Sequence, residues 1–277
     1  MMIKAALIGN PVCHSLSPRL HNFWCAKYRI SGNYEAINLE EKDLDSFLER
    51  IRGGEFVGAN VTAPFKEKLL EKMDCLEKAA EKTGAINTII SRKDGTLEGR
   101  NSDPAGFMEN LMSRAPSLDI QNITTMILGT GGAARACIFA LLDKGAGKII
   151  VAGRTESHLR GLMNFFSNSI LRDISWSGIN TSGKGVSLLV NATSSDLSGA
   201  GALQFDFSTL AQDSIVYDLV YNPPETEFLK AARKTGLKTI DGLGMLIYQA
   251  IPAFEAWFGV RPDYDNKIYD MLKQREI

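Results

Sequence analysis

The segment GANVTAPFK, residues 58–66, places polar side chains that could do chemistry at the end of a predicted strand. The Lys66 ammonium is a compact charge that can donate or accept a proton beside a reacting oxygen. Asn60 and Thr62 supply an amide and a hydroxyl, which suit a hydroxylated ligand. In another interpretation Pro64 opens a helix, Thr62 caps it and Lys66 is solvated at its edge. The segment by itself leaves both interpretations open.

A glycine-rich loop, LGTGGAARA at residues 128–136, is the clearest chemical motif. It follows an apolar run typical of a strand and precedes an alanine-rich run typical of a helix. Gly129 and Gly131 permit a tight turn and let backbone N–H groups approach a pyrophosphate at the positive end of the helix. Ala134 stands where the dinucleotide-binding fingerprint has Gly or Ala for close helix–sheet packing. The motif predicts a dinucleotide site, and a tight turn without a ligand is the alternative.

The next predicted strand ends in AGRTES, and its last residues select the cofactor. Arg154 and Thr155 stand where NAD enzymes tend to place Asp or Glu to hold the ribose 2′-hydroxyl. A guanidinium and a hydroxyl suit a 2′-phosphate, which a carboxylate would repel. Glu156 is adjacent and weakens this argument. We predict NADP as the cofactor.

Two cysteines and two histidines lie close together in the sequence: Cys13, His14, His21 and Cys25. His21 and Cys25 are four residues apart on a predicted helix, so that they share a face and could bind zinc. The spacing matches no usual metal motif, and free cysteines are common in cytosolic cores. We predict that the protein has no metal site.

The composition is that of a globular protein. The chain has 277 residues, enough for two domains, of which 44% are hydrophobic and 23% charged. Its formal net charge of −1 gives no support for binding to nucleic acid or a membrane surface. No apolar stretch reaches the ~18 to 20 residues of a membrane span, and the amino-terminal sequence lacks a secretory cleavage pattern. We therefore expect a cytoplasmic protein with neither nucleic-acid nor membrane partners.

Strand and helix patterns alternate along the chain, which predicts a layered α/β fold with helices on the faces of its sheets. Strands are predicted at 3–9, 34–39, 56–62, 123–129, 149–154, 186–193 and 214–221, with a hairpin turning at Asp94-Gly95. Helices are predicted at 17–30, 43–51, 65–73, 75–83, 104–115, after the glycine loop, and at 155–166, 244–258 and 265–276. Residues 167–185 are expected to be loose loops.

Eight sequence blocks resemble the shikimate dehydrogenase family over almost the whole chain. They are GNPVCHSLSPRLHN, GANVTAPFK, GAINT (84–88), GRNSDPAGF (99–107), GTGGAARA, NATS (191–194), DLVYNPPETEFL and DGLGMLIYQA. Eight blocks in the right order and spacing are far more specific than any one of them. Ser102 stands where the family usually has threonine.

The resemblance implies a Rossmann-type doubly wound NADP domain plus a discontinuous α/β substrate domain, with a cleft between them. Residues 1–103 would begin the substrate domain, residues 104–241 would form the NADP domain, and the helices of 242–277 would return to the first domain. Two chain crossings would then form a hinge that lets the domains close.

The resemblance also implies roles for individual residues. Lys66 and Asp103 would be the catalytic pair, and the substrate would bind Ser15, Ser17, Thr62, Lys66, Asn87, Asp103, Tyr221 and Gln249. NADP would bind Gly129, Thr130, Gly131, Gly132, Ala133, Ala134, Arg154, Thr155 and Gly242. An alternative for Ser17 is that it caps the following helix.

Two positions near the predicted cofactor site depart from the family pattern. Gly153 stands where the family often has Asn before Arg-Thr, and His158 stands where a second basic cofactor contact is common. Both weaken the NADP prediction, and Arg160 could compensate.

The implied activity is reversible, NADPH-dependent reduction of 3-dehydroshikimate to shikimate, in the pathway to chorismate and aromatic amino acids. The Lys66 ammonium would stabilise negative charge on the carbonyl oxygen and supply the proton, or act only as an electrostatic clamp. Two alternatives stay open: a quinate/shikimate dehydrogenase that uses NAD or both cofactors, and a non-catalytic NADP-binding regulatory protein on the same fold. A monomer or homodimer is expected.

Overall fold

A computed structural model describes residues 2–193 and 203–274, and in it the chain divides into two compact units. The first unit consists of Met1–Gly106 with Leu246–Ile277, and the second of Phe107–Met245. These bounds lie a few residues from the predicted ones. Each unit has its own six-stranded sheet.

The first unit contains a mixed sheet in the strand order β2-β1-β3-β5-β6-β4. The strands are β1 (Ile3–Gly9), β2 (Gly32–Asn38), β3 (Gly58–Val61), β4 (Cys75–Leu76), β5 (Thr88–Ser91) and β6 (Leu97–Arg100). β1 is parallel to β2 and β3, whereas β5 is antiparallel to both β3 and β6. The β5–β6 hairpin turns at Asp94-Gly95 as predicted, with Gly95 at a φ of +82° that favours glycine.

The second unit contains a parallel sheet in the order β12-β11-β10-β7-β8-β9. The strands are β7 (Thr124–Leu128), β8 (Lys148–Gly153), β9 (Leu171–Ser175), β10 (Leu188–Asn191), β11 (Ile215–Asp218) and β12 (Lys238–Ile240). This is the doubly wound order of dinucleotide-binding domains, in which the chain reverses direction across the sheet between its first and fourth strands. The loops after β7 and β10 therefore meet at the point where such domains hold their ligand.

Helices cover the faces of both sheets. They are α1 (Ser17–Lys27), α2 (Leu44–Arg52), α3 (Lys78–Thr83), α4 (Asp103–Arg114), α5 (Gly132–Asp143), α6 (Glu156–Phe166), α7 (Glu227–Lys234), α8 (Leu243–Phe258) and α9 (Asn266–Lys273). In α2 the buried residues Leu44, Phe47, Leu48 and Ile51 recur at helical spacing. Among the helices of residues 2–193 and 203–274, none has both the length and the apolar character needed to cross a membrane.

The sheet of the second unit is buried on both faces. Ile127 of β7 packs into one hydrophobic cluster with Val151 and Val190, while its neighbours Met126 and Leu128 pack into another. Successive residues of a strand point to opposite faces, so three consecutive apolar residues, Met126 to Leu128, are what a strand covered on both sides requires. The first unit has a separate core that includes Ile8, Phe47 and Val61, which fixes the strands whose ends carry the polar residues.

The helix predicted at residues 65–73 is wrong. Phe65 and Leu69 are buried at helical spacing, and the Leu69 N–H donates to the Phe65 carbonyl at 3.1 Å, but turns and a short 3-10 helix (Leu70–Lys72) follow. The Lys66 carbonyl instead accepts the Ile86 N–H at 2.8 Å. Since no helix begins at Pro64, Thr62 does not serve as a helix cap.

Two other segments also differ from the predictions. Residues 75–83 form the two-residue strand β4 before the short helix α3, and residues 167–185 contain β9 and a 3-10 helix, Trp176–Thr181. The end of the helix predicted at 265–276, residues 275 and 276, lies outside the described residues, as does Ser194 of the NATS block.

Candidate active site

One edge of the first sheet collects the polar residues of the predicted site. β1 and β3 are parallel neighbours, with Ile8 paired to Val61, so both end at this edge. β5 runs the opposite way and begins there, while β6 ends there. Thr62, Asn87 and Asp103 thus follow or precede strands at a single edge, although they are far apart in sequence.

Lys66 and Asp103 form an ion pair at this edge. The Lys66 ammonium contacts Oδ2 of Asp103, and the two side chains are 20% and 7% exposed. The other carboxylate oxygen accepts a hydrogen bond from Asn87 Nδ2 at 2.8 Å. The Asp103 N–H donates to Asn101 Oδ1 at 3.1 Å. The carboxylate is therefore held by a cation and an amide, as a buried charge requires.

Gln249 of α8 joins the same cluster. Asn87 Nδ2 lies 3.1 Å from Gln249 Oε1, 2.9 Å from Ser102 Oγ and 2.8 Å from Asp103 Oδ1. The Ser102 hydroxyl donates to the Gln249 backbone carbonyl at 2.7 Å. The structure thus brings together four predicted site residues, Lys66, Asn87, Asp103 and Gln249.

Ser102 was not among the predicted site residues, yet it bonds to two of them. The signal that could have found it is its place beside Asp103 in the GRNSDPAGF block, between two polar neighbours.

Asn60, the next-to-last residue of β3, makes its side-chain hydrogen bonds to other residues of the first unit. Its Oδ1 accepts the Tyr34 hydroxyl at 2.7 Å, and its Nδ2 donates to the Asn87 carbonyl at 3.0 Å and to Thr88 Oγ1 at 3.1 Å. The Thr88 hydroxyl in turn donates to Asn87 Oδ1 at 2.9 Å. Asn60 therefore fixes the backbone and side chain of Asn87.

Ser15, Ser17 and Thr62 lie in the segments that follow β1 and β3. The Ser17 N–H donates to Ser15 Oγ at 3.2 Å, and the Thr62 N–H donates to the Ile8 carbonyl at 2.9 Å. Ser17 is buried and is the first residue of α1, whereas the capping position belongs to Leu16 and has no side-chain hydrogen bond. The alternative in which Ser17 caps α1 is therefore wrong.

His21, considered above as a metal ligand, is enclosed by aromatic rings. Its ring stacks on Tyr34 with 4.1 Å between centroids, and Trp24 and Phe254 lie within 6 Å. Burial lowers the His21 pKa to about 3, and neither ring nitrogen has a partner among the described residues. Within residues 2–193 and 203–274, no group of three or more His, Cys, Asp or Glu side chains could hold a metal.

The glycine loop after β7 is shaped by the absence of side chains. Gly129 has a φ of +126°, and a Cβ there would lie 2.7 Å from the Ala192 carbonyl oxygen of the loop after β10. A Cβ on Gly131 would meet nothing within 4 Å. Gly132 begins α5, so backbone N–H groups are uncovered at the positive end of a helix. A pyrophosphate fits such a cradle.

Arg154 and Thr155 follow β8 as predicted and are exposed. Glu156, the carboxylate that weakened the NADP prediction, forms an ion pair with Arg160 one helical turn away in α6. Arg160 is thus engaged locally, while the charge of Glu156 is offset. His158 is exposed on the same helix.

Tyr221 and Gly242 lie beyond β11 and β12 of the second sheet. Tyr221 is half-buried. A Cβ at Gly242 would lie 2.1 Å from the Leu219 carbonyl oxygen, so only glycine allows the backbone at 242 to approach that loop. The loops beside these residues are tied together by buried Asp218, which accepts from Asn191 Nδ2 at 2.9 Å and from the Thr226 hydroxyl at 2.6 Å.

Known proteins resemble this chain along nearly its whole length. A family model described as the shikimate dehydrogenase substrate binding domain matches residues 7–89, and one described as the shikimate 5′-dehydrogenase C-terminal domain matches residues 242–266. A relative named shikimate dehydrogenase (NADP(+)), from Azorhizobium caulinodans, is 37% identical over 271 residues, covering 98% of this chain and 96% of that protein. One of the same name from Rhodospirillum rubrum is 40% identical over 267 residues, covering 95% and 94%.

Solved structures agree with these relatives. Shikimate 5-dehydrogenase from Thermus thermophilus, in complex with NADP(H) and shikimate, has a TM-score of 0.83 and 34% identity over 98% of both chains. Quinate dehydrogenase from Corynebacterium glutamicum, in complex with NAD, has a TM-score of 0.86 and 30% identity, also over 98% of both chains.

The doubly wound sheet and glycine cradle of the second unit define a dinucleotide-binding protein of the Rossmann type, and its first unit, also α/β, carries a lysine–carboxylate pair. These features and the identities of 37% and 40% over nearly the full length establish the protein family. The chain belongs to the shikimate dehydrogenase family, and the family prediction is confirmed.

Proposed function

We propose that the protein catalyses the reversible, NADPH-dependent reduction of 3-dehydroshikimate to shikimate, with Lys66 and Asp103 as the catalytic pair. The observation that carries the proposal is the ion pair itself, set in a network of amides and hydroxyls at one sheet edge. The names of the relatives from A. caulinodans and R. rubrum support the substrate and the cofactor.

Lys66 performs the proton chemistry in this proposal. When bound, NADPH supplies the hydride. The Lys66 ammonium stabilises the negative charge that develops on the carbonyl oxygen and then supplies the proton. In the reverse direction the same group takes the proton back. Asp103 fixes the position of the ammonium, because Asn87 donates to its carboxylate and the Asp103 backbone N–H is held by Asn101.

Neutral polar groups recognise the substrate in this proposal. Thr62, Asn87 and Gln249 hold the ring hydroxyls together with the catalytic pair, and Ser15, Ser17 and Tyr221 hold the carboxylate. A site built to hydrogen-bond hydroxyls rejects analogues that lack them, because its own polar groups are then left unpaired. The bonds from Asn60 and Thr88 to Asn87 support this role, since they keep its amide in one orientation.

The second unit holds the cofactor in this proposal. Backbone N–H groups of Gly129 to Ala134 bind the pyrophosphate, Arg154 and Thr155 bind the 2′-phosphate, and Gly242 lines the nicotinamide site. The uncovered cradle at the start of α5 supports the first assignment. The Glu156–Arg160 pair supports the second, because it removes a carboxylate that would compete for Arg154.

The decisive experiment measures the loss of NADPH absorbance on adding 3-dehydroshikimate, with NADH, quinate and shikimate compared in parallel reactions. We expect turnover with NADPH and 3-dehydroshikimate, and the reverse reaction with shikimate and NADP. Higher kcat/KM with quinate and NAD would favour the quinate/shikimate alternative. NADP binding in a calorimeter without turnover of any substrate would favour the regulatory alternative and refute the proposal.

We also propose that the protein acts in the cytoplasm as a monomer or homodimer. The globular composition and the net charge of −1 support a protein that works on a small molecule alone. Light scattering during gel filtration would measure the mass, and a tetramer or larger assembly would contradict the proposal.

A further inference from the structure

The register of the second sheet places Arg154 next to a tryptophan. β8 and β9 are parallel, and their last aligned residues are Gly153 and Ser175. Arg154 and Trp176 are the next residues on the two strands and leave the sheet side by side. The guanidinium carbon of Arg154 lies 6.0 Å from the centroid of the Trp176 ring, within the range of a cation–π contact.

Trp176 is itself held in place by the protein. It begins the 3-10 helix Trp176–Thr181, is half-buried, and packs with Ile174 against the hydrophobic cluster that includes Met126 and Leu128. A long, exposed arginine side chain loses rotamer freedom when it binds an anion. A fixed aromatic face beside the guanidinium removes part of that loss before the ligand arrives.

The surroundings of Arg154 leave its charge available. In the described part of the chain no carboxylate forms an ion pair with Arg154, because Glu156 is paired with Arg160. The preceding position contributes no side chain, since a Cβ at Gly153 would lie 2.5 Å from the Thr130 Cγ2 methyl group. Thr130 of the glycine loop thus occupies the space that a side chain at position 153 would enter. Recognition of a 2′-phosphate here depends strongly on how well Arg154 is positioned.

We propose that Trp176 is a positioning residue that holds Arg154 ready for the 2′-phosphate of NADP, and that it is therefore a determinant of NADP preference. The inference rests on the proposed function, because it assumes that Arg154 meets the 2′-phosphate. Since Gly153 has no side chain that could hold Arg154 in position, the inference assigns this role to Trp176.

The test measures ligand binding without turnover. The full-length protein and its W176A and W176F variants are titrated calorimetrically with adenosine 2′,5′-bisphosphate and with 5′-AMP, which differ only in the 2′-phosphate. We expect W176A to weaken bisphosphate binding about two- to fivefold, the range of an exposed cation–π contact, and to leave AMP binding unchanged. W176F keeps an aromatic face and should retain most of the affinity.

A double-mutant cycle with Arg154 separates positioning from other roles. In an R154A background, W176A should cause no further loss of bisphosphate affinity, since there is no guanidinium left to hold. Unchanged bisphosphate binding by W176A, an equal loss for both ligands, or additive effects in the cycle would overturn the inference. A protein that prefers the bisphosphate but does not reduce 3-dehydroshikimate would refute the proposed function and leave the role of Trp176 intact.

Discussion

In the first unit the candidate site is made of side chains that hold one another, whereas in the second it is made of places where side chains are absent. Lys66, Asp103 and Asn87 are linked by contacts between their polar atoms. Gly129 and Gly242 instead bring backbone within 3 Å of where a Cβ would lie. The first arrangement is sensitive to the removal of atoms and the second to their addition. Arg154, which we propose binds the 2′-phosphate, is a side chain of the second unit and therefore tests this contrast.

The largest effect is expected from removing the Lys66 ammonium. Lys66→Ala should lower kcat at least ~10²-fold, as the loss of a general acid–base group does, and leave NADP affinity nearly unchanged. Steady-state kinetics and a cofactor titration measure the two quantities. Lys68→Ala is the matched control, because Lys68 is an exposed lysine two residues away that pairs with Glu41. Turnover near that of the unmutated protein in a folded Lys66→Ala variant would exclude the catalytic role.

The next largest effect is expected from removing the Arg154 guanidinium. Arg154→Ala should reduce the NADP/NAD ratio of kcat/KM about 10- to 150-fold, corresponding to ~1.5 to 3 kcal/mol for a charge-assisted contact with phosphate. Arg233→Ala is the control, since Arg233 is an exposed arginine of α7 that pairs with Glu225. An unaltered ratio in Arg154→Ala would show that the 2′-phosphate is recognised elsewhere.

Adding one methyl group to the glycine loop tests the second arrangement directly. Gly129→Ala should lower the free energy of unfolding by about 1–3 kcal/mol, because φ is +126° and the new Cβ would meet the Ala192 carbonyl. Gly131→Ala should leave unfolding unchanged, since its Cβ meets nothing, but weaken NADP binding by covering the cradle. Chemical denaturation and cofactor titration of both variants separate the two costs. Equal stability losses would contradict the assigned geometry.

The smallest effect comes from the buried histidine of the first unit. Its folded pKa of about 3 lies below the ordinary value of 6.5, so the unfolded chain binds a proton that the folded chain does not. The His21 contribution is complete well above pH 6.5 and is lost as the pH falls from 6.5 toward 3. Between pH 7 and pH 5.5 this should cost about 1 kcal/mol of unfolding free energy.

Urea denaturation at the two pH values measures this loss. His21→Phe keeps an aromatic ring in the cage but cannot titrate, so its stability should fall less between pH 7 and pH 5.5. His158→Phe is the control for replacing a histidine by phenylalanine, because His158 is exposed. The same pH dependence in all three proteins would show that His21 is not the group responsible.

A helix, strand or loop could be predicted from the sequence where the interactions that form it lie between residues close together in the chain. The glycine loop could be predicted because β7, the loop and α5 are consecutive, and each has a strong pattern of its own. β9 was missed because only Leu171 of its five residues is fully buried, as suits an edge strand, so no apolar alternation marks it. Residues 65–73 resembled a helix because Phe65 and Leu69 share the helical spacing, yet the Lys66 carbonyl is bonded to distant Ile86.

The residues of the candidate site also differ in how far they could be predicted from the sequence. Lys66 and Asp103 were indicated by their blocks, but their contact depends on strand pairings that single-sequence patterns do not reveal. The hydrogen bonds of the Asn60 side chain depend on Tyr34 and Thr88, which belong to two other strands. Trp176 gave no signal, since its meaning arises only from the register of β8 and β9.

The amide of Asn87 has two N–H groups but three acceptors within hydrogen-bond distance: Asp103 Oδ1, Ser102 Oγ and Gln249 Oε1. The two N–H groups can therefore not each serve a separate one of the three acceptors. The longest of the three contacts, at 3.1 Å, is to Gln249 Oε1. A hydroxyl entering the site can give its own hydrogen to that oxygen without breaking either of the other bonds. The acceptors of the cluster thus outnumber the N–H groups of Asn87, which suits the cluster to a ligand that donates from a hydroxyl, as the proposed substrate would.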